Sequence, residues 1–310
     1  MLEIKLINKD EFGVYLDGVM DLYNGIFKNK VNQEYFLWRY LYNPFDELLM
    51  VLALDQGRVI SNYSAVPLFL EHNDSKYKSG LSIHTMTHKN FRGMGLFAKT
   101  GDLLYQHLKS EGYKIIFGFP NASIHRALNK KLKRVDIYEF PTMSLDMQKV
   151  KNKPIEIITD DDFLLSYNFV HKDKSKISVH KDLDYMRWRY SKCPTVKYHN
   201  LIVKQNDSVT SFFVIKKYDN KINIVDYFIN NQADFDELFA QVLTYAHDQK
   251  ADQVTTWANI NTDLKLWLEK NGFSNSLPIT YFSGKILDDN CSLNYHINNW
   301  QIVMGDDNVY

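Results

Sequence analysis

Apolar positions in the first half of the chain switch between the period of a strand and that of a helix. Residues 2–8 (LEIKLIN) alternate like a half-buried strand. Residues 10–28 then space Tyr15, Val19, Leu22, Tyr23, Ile26 and Phe27 three and four apart, which predicts an amphipathic helix. A second helix starts after Asn32, a residue suited to capping free N–H groups. It stops at Asn43-Pro44, because proline pushes the residue before it out of helical geometry. Three strand-like runs follow, 48–54, 59–70 and 77–87, joined by the turn-forming stretches "DQG" and "HNDSKYKSG", so an antiparallel meander is expected. Next come a helix with Leu96, Thr100, Leu103, Leu104, His107 and Leu108 on one side, a strand at 114–119, a helix at 121–132 with Leu128 and Leu132 at spacing four, and strands at 136–140 and 142–147.

The same order returns in the second half. "WRY" occurs at Trp38-Arg39-Tyr40 and at Trp188-Arg189-Tyr190, an offset of 150 residues at which Tyr35 meets Tyr185, Pro44 meets Pro194, Val59 meets Val209 and Ser61 meets Ser211. Strands are expected at 201–204, 209–217 and 221–229, then a helix through Phe235, Leu238, Phe239, Val242, Leu243 and Ala246, a strand at 253–258 and a helix at 262–271 that Gly272 stops. Two copies of one plan predict two tandem α/β (α+β) domains, 1–150 and 155–310, each a mixed, mostly antiparallel sheet flanked by helices. The tripeptide is expected to pack in each core, with its arginine satisfying local carbonyls or carboxylates. The tail "NWQIVMGDDNVY" reads as a final strand and turn.

Composition narrows the function more than the fold. Lys plus Arg equals Asp plus Glu at 37 each, so no global field draws in nucleic acid or an anionic membrane. No apolar run approaches the roughly 18 to 20 residues that span a bilayer, and the N-terminus lacks the basic-then-apolar order of a signal peptide, so a cytoplasmic location is expected. Two cysteines, Cys193 and Cys291, are too few for a disulfide framework, and no histidine pair stands at zinc spacing beside carboxylates, so no metal is expected.

The chemistry concentrates in "FRGMGLF", residues 91–97. A strand ends, two glycines turn the backbone and a helix begins, which aims successive N–H groups and the helix dipole at one point, as a pyrophosphate requires. Gly93 and Gly95 let a ligand approach without a Cβ in the way, and Arg92 adds a charge. A Rossmann loop would need a third glycine where Lys99 stands, and a P-loop would need Gly-Lys-Ser/Thr.

On these residues the chain resembles the GNAT superfamily of acyl-CoA-dependent N-acyltransferases. "RGMGLF" after a strand is similar to that family's Arg/Gln-x-x-Gly-x-Gly/Ala loop, and "THKNFRGMGLF" to the Thr-His-Pro-x-Tyr-Arg-Gly-Lys-Gly-Leu-Phe form of bacterial members. Lys89 stands where proline is usual and Phe97 where Gly or Ala is usual, the latter departure being shared by that subgroup. The resemblance implies that Thr85, Met86 and Thr87 contact the pantetheine arm of acetyl-CoA or another acyl-CoA. It implies that Arg92 and the N–H groups of Gly93, Met94, Gly95, Leu96 and Phe97 hold the pyrophosphate, and that Asn121 reaches the pantetheine. His125 aligns with the tyrosine that protonates the departing thiolate in many members, although Leu132-Lys133-Arg134 replaces the Leu-Gly-Phe/Trp that usually ends this helix.

An amine must be neutral to attack, so a base or a water relay has to take its proton. The family's usual glutamate is missing from the strand before the loop. His84, which strand alternation places on one face with Met86 and His88, is a candidate base, and Asp226 in the corresponding strand of the second copy is another acid-base or amine-binding candidate. Where the second copy would carry its loop it reads "NNQADFDE", without glycine or arginine and with three acidic residues, so it is expected to lack a cofactor site. The expected activity is transfer of an acetyl or other acyl group to a primary amine of a small molecule, with an amino sugar of surface-polysaccharide synthesis as one acceptor. A non-catalytic acyl-CoA-binding module would bind cofactor without releasing CoA. An aminoacyl-tRNA-dependent peptidyltransferase of related tandem fold would show a degenerate first loop and a basic surface.

Overall fold

The computed structural model describes residues 2–151, 154–160 and 173–307; positions 152 and 153 of the expected linker and 308–310 of the tail lie outside the described residues. In the first half, β1 (Leu2–Ile7) leads into α1 (Lys9–Ile26) and α2 (Gln33–Tyr40). Asn8 starts α1 with a capping box, its side chain accepting from Glu11 N at 2.9 Å while Glu11 reaches back to Asn8 N at 3.3 Å. The stripe that α1 buries most deeply is Phe12, Leu16, Val19 and Leu22, which shares Val19 and Leu22 with the expected one, and Tyr15, Tyr23, Ile26 and Phe27 are half-buried against the same core. Each fully buried apolar side chain of this kind contributes about 1.5–3 kcal/mol.

The meander is β2 (Leu49–Asp55), β3 (Arg58–His72) and β4 (Ser75–Thr87). Both of its turns place two consecutive residues at positive φ, Gln56-Gly57 and Asn73-Asp74, the geometry that matches the twist of a tight hairpin. Then come α3 (Leu96–Ser110), β5 (Ile115–Gly118), α4 (Ala122–Leu132) and one long strand, β6 (Val135–Asp146), where the sequence suggests two. The second half holds β7 (Ile177–Val179), a short α5 (Leu183–Met186), β8 (Tyr198–Gln205), β9 (Ser208–Tyr218), β10 (Lys221–Phe228), α6 (Gln232–Asp248), β11 (Gln253–Thr256), α7 (Asp263–Lys270), β12 (Ser274–Ile286) and β13 (Trp300–Gln301). Its first hairpin turns at Asn206-Asp207, 150 residues after Gln56-Gly57, and each hairpin shifts register at the same place, Ala53/Leu54 and Val203/Lys204.

The strands form one continuous sheet in the order β1-β2-β3-β4-β5-β12-β6-β11-β10-β9-β8. Each half gives a late strand to the other: β12 pairs with β5, β6 pairs with β11, and β12 and β6 meet antiparallel at the centre. The repeated tripeptide marks the same seam. The Trp38 and Trp188 rings stack with centroids 5.3 Å apart, and each indole N–H donates to the other residue's carbonyl, at 2.8 and 3.0 Å. The tryptophans thus join the halves and do not merely fill separate cores. The apolar core under α1 and α2 runs across the seam to Ile202, Phe212, Val214 and Trp257, while α3 with α4 and α6 with α7 cover separate cores.

Candidate active site

Two wedges open in this sheet, one per half. β4 and β5 pair in parallel only through residues 79–81 and 115–117, after which β4 runs on to Thr87 while β5 stops at Gly118. β10 and β11 pair only through 221–223 and 253–255, after which β10 runs on to Phe228. In each, the long strand carries a bulge: at His84 and Thr85 in β4, and beside Asp226 in β10. An extra residue bends a strand away from its neighbour, which is how the wedge is held open.

The first wedge leads to the glycine loop. His88 N donates to Ile60 O at 2.8 Å and Arg92 Nε to Thr87 O at 3.3 Å, which pins the loop to the end of the meander. Gly93 and Gly95 have φ of +84° and +75°, a region that penalises any Cβ, and Gly95 is the residue from which α3 starts. Nothing lies within 4 Å of where a Cβ would sit on either glycine, so backbone conformation and not crowding requires them, and the space in front is open. No side chain caps α3, and the N–H groups of Gly95, Leu96 and Phe97 have no acceptor among the described residues. Uncapped amides at the positive end of a fifteen-residue helix fit a pyrophosphate. Thr85, Met86 and Thr87 lie on the stretch of β4 that β5 leaves unpaired, and Asn121 stands where the chain leaves β5, capping α4 by accepting from Ser123 N at 3.1 Å.

The second wedge is occupied by the chain's own tail. Asn259, which follows β11 as Asn121 follows β5, donates to Ile302 O at 2.8 Å and accepts from Ile302 N at 3.1 Å. Arg189 donates to the carbonyls of Gly305 and Asp307 at 3.2 and 3.1 Å. A Cβ on Gly305 would overlap the Tyr190 hydroxyl and stand 3.0 Å from Val225 O, which accounts for the glycine of "GDD". Its aspartate Asp306 joins Asp226 on Lys181, at 3.0 and 2.8 Å, in a buried cluster. Burial alone would lower the Lys181 ammonium, but the two carboxylates hold it above its usual range.

The three acid-base candidates occupy different surroundings. His84 sits at φ +44° among Tyr23, Tyr35, Phe36 and Tyr40, with Nε2 3.0 Å from Tyr35 Oη and Nδ1 2.7 Å from Tyr40 Oη. Burial, helped by the charge of Arg39, lowers it to about 3, so it is neutral at pH 7 and both nitrogens are committed to tyrosines. In this arrangement no lone pair faces an incoming amine. His125 stacks on Tyr281 of β12 at 3.9 Å and lies 2.7 Å from Asp136 of β6, strands on the far side of β5 from the wedge. Asp226 accepts from Lys181, from Tyr190 Oη at 2.6 Å and from Tyr227 N at 2.8 Å and is buried, so its lone pairs serve the second half's interior. The tripeptide's tyrosine therefore reaches the bulge in both halves, Tyr40 to His84 and Tyr190 to Asp226. Period and composition gave no signal of this pairing.

Among the described residues no helix is long and apolar enough to cross a membrane. No curated protein sequence matches the chain. The chain is similar in fold to a probable N-acyltransferase of Enterococcus faecalis V583, a conserved protein of unknown function, at 13% identity and TM-score 0.68, covering 93% of this chain and 73% of that one. It is similar to a GCN5-related N-acetyltransferase from Kribbella flavida at 12% identity and TM-score 0.68, covering 93% and 72%. It is also similar to Saccharomyces cerevisiae N-myristoyltransferase with bound myristoyl-CoA at 13% identity and TM-score 0.58, covering 91% and 78%. The sequence profile of the family described as acetyltransferase (GNAT) domain matches residues 3–129, the stretch that holds the first wedge and its glycine loop. Residues 3–129 thus carry the sequence pattern of a GNAT acetyltransferase domain, and the chain as a whole shares the fold of the acyltransferases named above.

Proposed function

We propose that this chain is an N-acyltransferase that takes an acetyl group, or another acyl group, from acyl-CoA held by residues 1–150 and delivers it to a primary amine of a small molecule. Residues 155–310 keep the fold without a cofactor site and wall the acceptor side, and an amino sugar is the acceptor put first. The observation that carries the reading is the glycine loop, with Gly93 and Gly95 at positive φ and uncapped amides opening α3. The myristoyl-CoA bound in the yeast relative supports an acyl-CoA as the cosubstrate of this fold.

The wedges support one cofactor per chain. In the second, Asn259 grips the tail's Ile302 amide through both its side-chain groups, so the place of a pantetheine arm is filled by protein. Asn121 occupies the matching position in the first wedge and would hold a pantetheine amide in the same manner. Thr85, Met86 and Thr87 would offer backbone groups along the arm, and Arg92 with the amides of residues 93–97 would hold the pyrophosphate. When bound, the acyl thioester supplies the activated acyl group. The chain's own contribution is to orient that group and the amine and to exclude water between them. With His84 neutral and bonded at both nitrogens, the amine's proton leaves through solvent or through a hydroxyl such as Tyr35 Oη.

Calorimetric titration of acetyl-CoA and of free CoA into the protein tests the reading. Binding at one site per chain, followed by CoA release with an amine, is the expected result. Absence of binding would sink it.

A further inference from the structure

The two arginines of the repeated tripeptide differ in what they hold. Arg189 donates to Tyr198 Oη at 2.7 Å as well as to the tail carbonyls of Gly305 and Asp307. Arg39 is as deeply buried, at 3% exposure, with its guanidinium carbon 4.2 Å from the Trp38 ring centre and 5.6 Å from that of Trp188. Yet its Nε has no hydrogen-bond partner, and among the described residues no carboxylate pairs with it. A buried cation with an unspent donor is costly to the fold, and an oxyanion in the adjoining space would offset that cost.

Arg39 lines a cleft of about 580 Å³ between the two halves. Six of the lining residues are cationic, Lys30, Arg39, Arg189, Lys197, Lys216 and Lys217, and none of the described residues that line it is acidic. Charges from both halves therefore converge on one space whose size suits a small ligand. Burial and then the charge of Arg189 lower Lys216 to about 8, and burial and then the charge of Arg39 lower His84. Tyr35 ties the cleft to the cofactor half, since it lines the cleft and its hydroxyl lies 3.0 Å from His84 at the β4 bulge.

We infer that this cleft is the acceptor subsite, and that it takes an amine bearing an anionic group, a phosphate or a carboxylate, which Arg39 holds at the seam. The inference rests on the reading of the first wedge as an acyl-CoA site. It narrows the acceptor to an amine that also carries an anionic group, such as a phosphorylated amino sugar, in place of one without it. The guanidinium offers two parallel N–H groups to either oxyanion, and the aromatic rings around it keep it fixed for that contact.

The test is binding of matched probes, read by calorimetry and by the fluorescence of the Trp38 and Trp188 pair. Glucosamine 6-phosphate is compared with glucosamine, and β-alanine with β-alaninamide, which separates a phosphate from a carboxylate source. In at least one pair the probe that bears the anionic group should bind about tenfold or more tighter than its twin without it. That preference should fall below about twofold in Arg39→Gln and survive in Gly95→Glu, whose change lies in the cofactor loop. The exposed rim variant Lys197→Glu should weaken the anion-bearing probe alone, which keeps the test decisive if Arg39→Gln does not fold. Equal binding within both pairs, or a preference untouched by Arg39→Gln or by Lys197→Glu, overturns the inference. Acetyl-CoA is titrated separately: binding without an anion preference removes the inference alone, and an anion preference without acetyl-CoA binding removes the cofactor reading alone.

Discussion

Replacing His84 with asparagine should flatten the acid limb of the protein's stability. The imidazole is lowered from 6.5 to about 3 by burial, so the folded chain refuses a proton that the unfolded chain accepts. Its neutral form is stable above pH 6.5, and the folded state loses stability as pH falls from there toward 3. Between pH 7 and pH 5 the unfolded histidine becomes almost fully protonated while the native one stays neutral. At 1.36 kcal/mol per unit of pH below 6.5, the penalty reaches about 2 kcal/mol at pH 5. Asparagine tolerates the left-handed conformation that position 84 adopts, at φ +44°, and does not titrate. The assay is urea unfolding of both proteins at pH 7, 6 and 5, followed by tryptophan fluorescence. Histidines and carboxylates common to both proteins cancel in the comparison. The variant starts less stable at pH 7, because it loses ring packing and bonds to two tyrosines, but should lose about 2 kcal/mol less than the parent on going to pH 5. Parallel losses in the two proteins would refute the buried, neutral histidine.

Gly95→Glu should weaken CoA by at least about a hundredfold, since two lost charge-assisted amide contacts count about 1.5–3 kcal/mol each, and should cost about 1–2 kcal/mol of stability through its positive φ; Gly95→Asn should weaken CoA less. Calorimetry of both variants checks this, and equal affinities would remove the loop assignment. Gly305→Ala should cost about 1–3 kcal/mol in urea unfolding, because a Cβ there collides with Tyr190 and Val225. Lys181→Met strands two buried carboxylates and should cost about 3–5 kcal/mol at pH 7. Since burial raises Asp306, that deficit should shrink as pH falls and the carboxylates take protons, which denaturation at pH 5 would show.

What the sequence determined by itself was local and periodic. The order of helices and strands, the hairpin turns at "DQG" and "HND", the stop at Asn43-Pro44 and the glycine loop all follow from the backbone preferences of neighbouring residues. The duplication was legible too, because a copied sequence keeps its spacing. The placement of β12 was not. Residues 274–286 carry Pro278, Gly284 and several polar side chains, and their register shifts between Ser276 and Ile279, so no strand period marks them. They become a central strand because β5 and β6 each offer an open edge.

Only the tertiary structure decided the fates of residues that look alike along the chain. His84 reads as a free strand histidine, yet tyrosines from α2, more than forty residues away, take both its nitrogens. Trp38 and Trp188 read as two core residues, yet they meet as one pair across the seam. Arg39 and Arg189 sit in the same tripeptide, and what separates them is the tail, whose carbonyls reach one arginine and not the other. Spacing records what a residue's neighbours prefer; which distant group spends its donors and acceptors is settled when the two halves close on each other.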